Sequence, residues 1–151
     1  MILRTAIALA LLAVAANAAE LSLGNGIVAP GKPAALGVTL ASGKDAPTGF
    51  QFDLEFDPAA LDISVEPGPG AQQASKSLQS AAIRAGKLRV LIIGFNRNTI
   101  PDGVLALVHV SYKSGDTGKT FPIHLTASSG TNANAETVAV TVKDGGVRTE
   151  K

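Results

Sequence analysis

Three carboxylates spaced two apart, Asp53, Glu55 and Asp57, are the densest group of chemically able side chains in the sequence. On an extended strand that spacing puts all three on one face. Clustered carboxylate oxygens suit a hard cation such as calcium, and a pair facing each other across a cleft could hydrolyse a glycosidic bond. The Gly/Asp loop of a calcium site is missing, however, and no second acidic residue stands out to face them. A solvated strand face is therefore the better reading of the row. The two histidines offer a weaker alternative. If Asp116-Thr117 were a two-residue hairpin turn, His109 and His124 would be cross-strand neighbours, a two-point metal site with no third ligand nearby. The chain has no cysteine, which removes thiolate nucleophiles, thiolate zinc sites and disulfides together. Nucleophile elbows, Walker loops and dinucleotide fingerprints are also missing from the sequence. The expectation is a protein that binds, with no catalytic residue, no metal and no cofactor.

The acidic row belongs to Gly49–Leu61, in which Phe50, Phe52, Leu54 and Phe56 alternate strictly with Gln51, Asp53, Glu55 and Asp57. A period of two predicts a strand with an aromatic face and a polar face. Three of the five Phe residues sit on that one face, which only a second layer can bury. Pro58 ends the pairing.

Composition sets the frame. Met1-Ile2-Leu3-Arg4, an apolar run from Ala6 to Ala16 and the small-x-small Ala16-Asn17-Ala18 read as a secretory signal peptide over residues 1–18. Residues 19–151 remain as a single domain. The apolar run is too short for a comfortable membrane span, and the expected location is secreted, extracellular or periplasmic. The whole chain has 13 basic and 12 acidic residues, and loss of Arg4 balances them. A neutral surface argues against nucleic acid and against an electrostatic membrane binder.

Short alternating runs recur between Gly/Pro/Asn turns: Glu20 to Ala29 with a break at Gly24-Asn25-Gly26, Ala34 to Ala41, Leu61 to Val65, Val104 to Tyr112, Phe121 to Ala127, Thr137 to Val142 and Gly146 to Thr149. Ala71 to Ala85 is ambiguous. Its composition allows a helical turn, but from Ser77 onward it also reads as a strand that turns at Gly86 and pairs back along Lys87–Phe95, and the hairpin is preferred. Eight or nine short strands with no long helix predict an all-β sandwich.

The order and spacing of Pro30-Gly31, Gly49 to Pro58 with Leu61, Val65-Glu66-Pro67-Gly68, Gly86 to Leu91, Asp102-Gly103-Val104-Leu105-Ala106 and Asp144-Gly145-Gly146-Val147 resemble the cohesin domain, the receptor module of cellulosomal scaffoldins. The resemblance implies a nine-stranded flattened jelly-roll β-sandwich, kin to the carbohydrate-binding modules of families two and three. It implies a dockerin partner gripped by the face of the strands at Gly49–Phe56, Ser80–Arg84, Leu88–Phe95 and Phe121–Ala127. It sends the strands of His109 and His124 to opposite sheets. Gln51 stands where many members carry Asp or Asn, Ile83 where an aromatic is common, and Phe95 where an acidic residue often sits. Val90 and Ile92 match exposed apolar contacts of the family.

Leu88 to Ile93 is apolar on both faces, whereas a sandwich strand buries one face in its own core. The other set, joined by Ile83, would then be an exposed apolar patch of the kind that marks partner surfaces, unless Ala71–Ser80 folds over it. The expected partner-binding face is Gln51, Asp53, Glu55, Ile83, Val90, Ile92 and Phe95, with Val90 and Ile92 as its apolar half. On that reading Ile92→Asp spares folding and abolishes binding. The partner is a protein, dockerin-like or another sandwich module. Two alternatives use the same fold: a carbohydrate-binding module on a polysaccharide, or a structural or adhesion subunit of an envelope assembly. With no Trp and one Tyr, only Phe95 and Tyr112 could stack on sugar rings.

Overall fold

The computed structural model describes residues 18–113, 115 and 117–150. The expected signal peptide, apart from Ala18, lies outside the described residues. The chain forms β1 (Ala19–Leu23), β2 (Asn25–Val28), β3 (Ala34–Ala41), β4 (Gly49–Glu55) and β5 (Leu61–Pro67). A short helix α1 (Pro69–Gln73) precedes β6 (Ser77–Arg84), β7 (Lys87–Ile93), β8 (Gly103–Tyr112) and β9 (Thr120–Thr131). β10 (Thr137–Val138), β11 (Val140–Lys143) and β12 (Gly145–Thr149) close it. Two sheets pack face to face, in the orders β11-β1-β3-β8-β5 and β2-β12-β9-β4-β7-β6, with β10 beside β9. β1–β2 and β11–β12 are each one strand that changes sheet, and with the two-residue β10 set aside the sandwich has the nine strands expected.

Alternation explains which face goes inward. Leu36, Val38 and Leu40 of β3, Phe50, Phe52 and Leu54 of β4, and Val108 and Val110 of β8 all point between the sheets and are buried. Burying each of these larger side chains is worth about 1.5–3 kcal/mol. β8 shows adjacent buried residues, Leu105 and Ala106, because the pairing of β3 with β8 slips between Val38 and Thr39. The slip lets Leu105 bulge without losing the inward face on either side.

The first and last strands of the described residues meet at the sheet crossings. β1 pairs in parallel with β11, and β2 in parallel with β12, so both terminal strands change layer side by side. A Cβ on Gly145 would overlap the carbonyl oxygen of Gly24 and lie 2.6 Å from that of Leu23. Glycine is needed there for close backbone approach.

The ambiguous segment resolves into both of its options. Pro69–Gln73 is helical, with Ala71 and Ala74 in the core, and Ser77–Arg84 forms the hairpin with β7. Gly86, at φ +80°, makes the turn. The helix packs mainly against β8 at the edge of the core.

Candidate partner-binding face

β9, β4, β7 and β6 lie side by side, so the four segments that the resemblance grouped form one continuous outer surface. β4 pairs with β7 antiparallel, Phe50 opposite Ile92, Phe52 opposite Val90, and Leu54 opposite Leu88. Cross-strand partners share a face. Val90 and Ile92 therefore go inward with the phenylalanines and are 0% exposed. This corrects the expectation that they form the apolar half of the outer face, because a partner cannot reach them. The residues that do face outward are Lys87, Arg89, Leu91 and Ile93. The sequence carried a signal for this. Of the two alternating sets in β7, only the one with Leu91 and Ile93 includes charges, at Lys87 and Arg89, and the purely apolar set belongs inside.

The apolar part of the outer surface consists of half-buried Leu91, Ile93 at 46% exposure and Ile83 at 49%. A depression of about 200 Å³ is lined by Gly49, Phe50, Gln51, Leu91, Ile93, Ser129, Gly130 and Thr131. A second, of about 160 Å³, is bounded by Gln79, Ser80, Ala81, Ile83, Arg89 and Leu91. Leu91 is the ridge between them. α1 and the residues after it leave this surface open.

Phe95 follows the end of β7 with its side chain fully exposed, yet its turn is firmly held. Lys76 Nζ donates to the Asn96 carbonyl at 3.1 Å and to Asn96 Oδ1 at 2.7 Å. Asn96 Nδ2 donates to the Ser75 carbonyl, and Asn98 Nδ2 to that of Ala74. Lys76 is buried, and desolvation pushes its ammonium pKa below the ordinary 10.5. An exposed aromatic on an anchored turn loses little entropy when a partner covers it. Sequence reading named Phe95 but not Lys76 and Asn96, whose link is tertiary.

The acidic row forms an ion-pair network. Arg89 grips Asp53 in a bidentate pair, Nε to Oδ1 at 2.8 Å and Nη2 to Oδ2 at 2.9 Å. Lys87 Nζ lies 3.8 Å from both Asp53 Oδ2 and Glu55 Oε1, and Arg84 Nη2 is 3.1 Å from Glu55 Oε1. The Arg89 hydrogen bonds hold the Asp53 carboxyl below its ordinary 3.8 against the opposing effect of burial. Asp53 is 0% exposed under these cations, so it supports the surface and is not itself a contact. Glu55 stays half-buried and Gln51 partly accessible. Asp57 lies apart from the network, its Oδ1 accepting the Ala59 N–H at 3.0 Å in the turn after β4.

The histidines sit on different sheets, β8 and β9. His109 Nε2 is 2.9 Å from Glu66 Oε1, and His124 Nδ1 is 2.8 Å from Asp144 Oδ2. Among the described residues, no group of three His, Cys, Asp or Glu side chains is placed to hold a metal ion, and no helix is long and apolar enough to cross a membrane.

A family model for the cohesin domain matches residues 19–149. The sixth cohesin of scaffoldin B from Acetivibrio cellulolyticus, solved in complex with a Cel5 dockerin mutant, superposes with a TM-score of 0.78 at 21% identity, covering 88% of this chain and 99% of that one. The cohesin of a type I cohesin–dockerin complex from Clostridium thermocellum gives 0.76 at 19% identity, with 89% and 94% covered. A non-cellulosomal cohesin from the archaeon Archaeoglobus fulgidus gives 0.71 at 15%, with 89% and 92% covered. At these identities the likeness is one of fold. No curated protein matches the sequence.

Proposed function

The chain belongs to the cohesin domain family, and from that premise we propose that it is a non-catalytic receptor module that grips a dockerin-like protein on the outer surface of β9, β4, β7 and β6. One observation carries this reading. Ile83, Leu91, Ile93 and Phe95 expose apolar area on a rigid sheet and an anchored turn, beside an ion-pair network that contributes polar contacts. An apolar centre with a polar rim is the usual anatomy of a protein interface. Gln51 and Glu55 keep their place in the proposed contact set, which Leu91, Ile93 and Arg84 enlarge. The domain acts after export directed by residues 1–18, in the service of extracellular polysaccharide degradation.

The test is calorimetric titration of the domain with a panel of dockerin modules. Ile93→Asp and Phe95→Ala should each weaken capture by about tenfold or more while leaving the melting temperature unchanged. Failure of every dockerin to bind, or binding indifferent to both substitutions, would remove this face from consideration. Phe95 also keeps a second reading in play, because an exposed ring can stack on sugar. Tyr112 gives it no help, since its half-buried ring packs on Phe121 at a centroid distance of 6.4 Å. Retention on cellulose with no dockerin bound would favour the carbohydrate reading.

A further inference from the structure

The charges on the proposed face are not evenly presented. Asp53 is 0% exposed and accepts both hydrogen bonds of the Arg89 fork. The Glu55 side chain is 30% exposed and is approached by Arg84 and Lys87 together. The cations stand higher: Arg84 keeps 62% and Arg89 38% of its side chain exposed. Two guanidiniums thus stand above two carboxylates, Lys87 lies lower with its side chain 24% exposed, and the deeper carboxylate is sealed. A guanidinium carries five N–H donors. Arg89 uses two on Asp53 and Arg84 one on Glu55, which leaves donors on both facing solvent. Of the other acids, Asp144 borders the β9 side of this surface, 2.8 Å from His124, which lies opposite Glu55, and the rest are engaged elsewhere. Asp57 caps the turn after β4, and Asp45 and Glu136 engage Asn132 beyond the far end of the face.

Arg89 is also a wall of the depression between Ile83 and Leu91. An apolar side chain seated there would bring its neighbours against a guanidinium. The depression on the other side of Leu91 is lined by uncharged residues only. Of the two depressions, only the one between Ile83 and Leu91 has a cation in its wall.

From this arrangement we propose that the partner segment is both acidic and apolar: it places a large apolar side chain between Ile83 and Leu91 and a carboxylate against Arg84 and Arg89. The proposal rests on the binding face assigned above and adds the chemistry of what that face takes. A basic segment docked between Ile83 and Leu91 would meet Arg84, Lys87 and Arg89, offset by the Glu55 edge, with Asp144 a strand farther away and already paired to His124. Like charges brought together in this way disfavour the wrong partner.

A randomised peptide-display library panned on the immobilised full chain tests this. Recovered sequences should pair Asp or Glu with a nearby Leu, Ile or Phe. A synthetic peptide of the enriched type should bind more weakly as salt rises, and about tenfold more weakly to Arg84→Glu and to Leu91→Ala. Replacing its acidic residue with Lys should restore binding to Arg84→Glu. Thermal melting of both variants near wild type shows that folding is intact. Lys- or Arg-rich winners, or winners lost with Leu91→Ala but unaffected by Arg84→Glu, would overturn the acidic partner and leave the face standing. Winners that survive Leu91→Ala and Arg84→Glu alike would overturn the face as well.

Discussion

Ile92 and Ile93 are neighbours in sequence and opposites in the fold, and replacing each in turn with alanine tests the register on which the site depends. Ile92 is fully buried opposite Phe50, between the two sheets. Truncating it removes three methyl or methylene carbons from a closed core and leaves a cavity that surrounding strands cannot collapse. Such substitutions cost about 2–5 kcal/mol, and full burial in a sandwich centre puts Ile92→Ala at about 3–4 kcal/mol. For a domain of this size that lowers the melting temperature by roughly 10–15 °C. Ile93 is 46% exposed on the outer surface, and Ile93→Ala should change stability by less than about 1 kcal/mol while weakening partner capture. Urea unfolding followed by far-UV circular dichroism measures both, with an unchanged slope confirming that the midpoint shift is a stability change. If Ile93→Ala proved costly and Ile92→Ala nearly neutral, β7 would be out of register by one residue, and every assignment on the face would invert.

Gly145→Ala should destabilise by about 3 kcal/mol, because its Cβ would meet the Leu23 and Gly24 backbone carbonyls at the paired crossing, where no flexible side chain can yield; a melting temperature within 2 °C or so of wild type would refute that close approach. Asp144 ties the same crossing to β9, accepting from the Leu125 N–H at 2.9 Å beside its His124 contact. The His124 hydrogen bond holds its carboxyl below the ordinary 3.8, burial opposes this, and the Leu125 N–H assists. Its folded pKa is depressed, so its contribution is present above the ordinary value and is lost as the pH falls below 3.8 through the folded one. Half-exposed, it contributes about 0.5–1 kcal/mol. Asp144→Asn should therefore melt below wild type at neutral pH and converge with it in acid, and curves that stay parallel would show that the carboxylate contributes nothing.

Much of the fold was legible because its information is local. Phe50, Phe52 and Leu54 declare an inward face by alternation alone, and Leu36, Val38 and Leu40 do the same in β3. Gly86 and Gly24-Asn25-Gly26 mark where the chain turns or changes layer. Ala71–Ala85 stayed ambiguous because helix and strand tendencies are both weak there, and packing of Ala71 and Ala74 into the core decides it. On the candidate face, Ile83 and Phe95 were identifiable as exposed apolar residues. Val90 and Ile92 lie inside, against expectation: theirs is the purely apolar set of β7, and the charges that mark the outward set, Lys87 and Arg89, stand only in its first half.

Residue order by itself determined that this is an all-β sandwich with a Phe-lined core face at Gly49–Phe56, since period two and turn chemistry act over a few residues. Only the tertiary structure decided what the outer face offers. The pairing of β4 with β7 sends Val90 and Ile92 inward and leaves Leu91 and Ile93 outside. The same pairing sinks Asp53 under Arg89, a contact 36 residues apart in sequence. Register and ion pairing are relations between distant strands. A one-residue slip reverses both and leaves every local pattern unchanged.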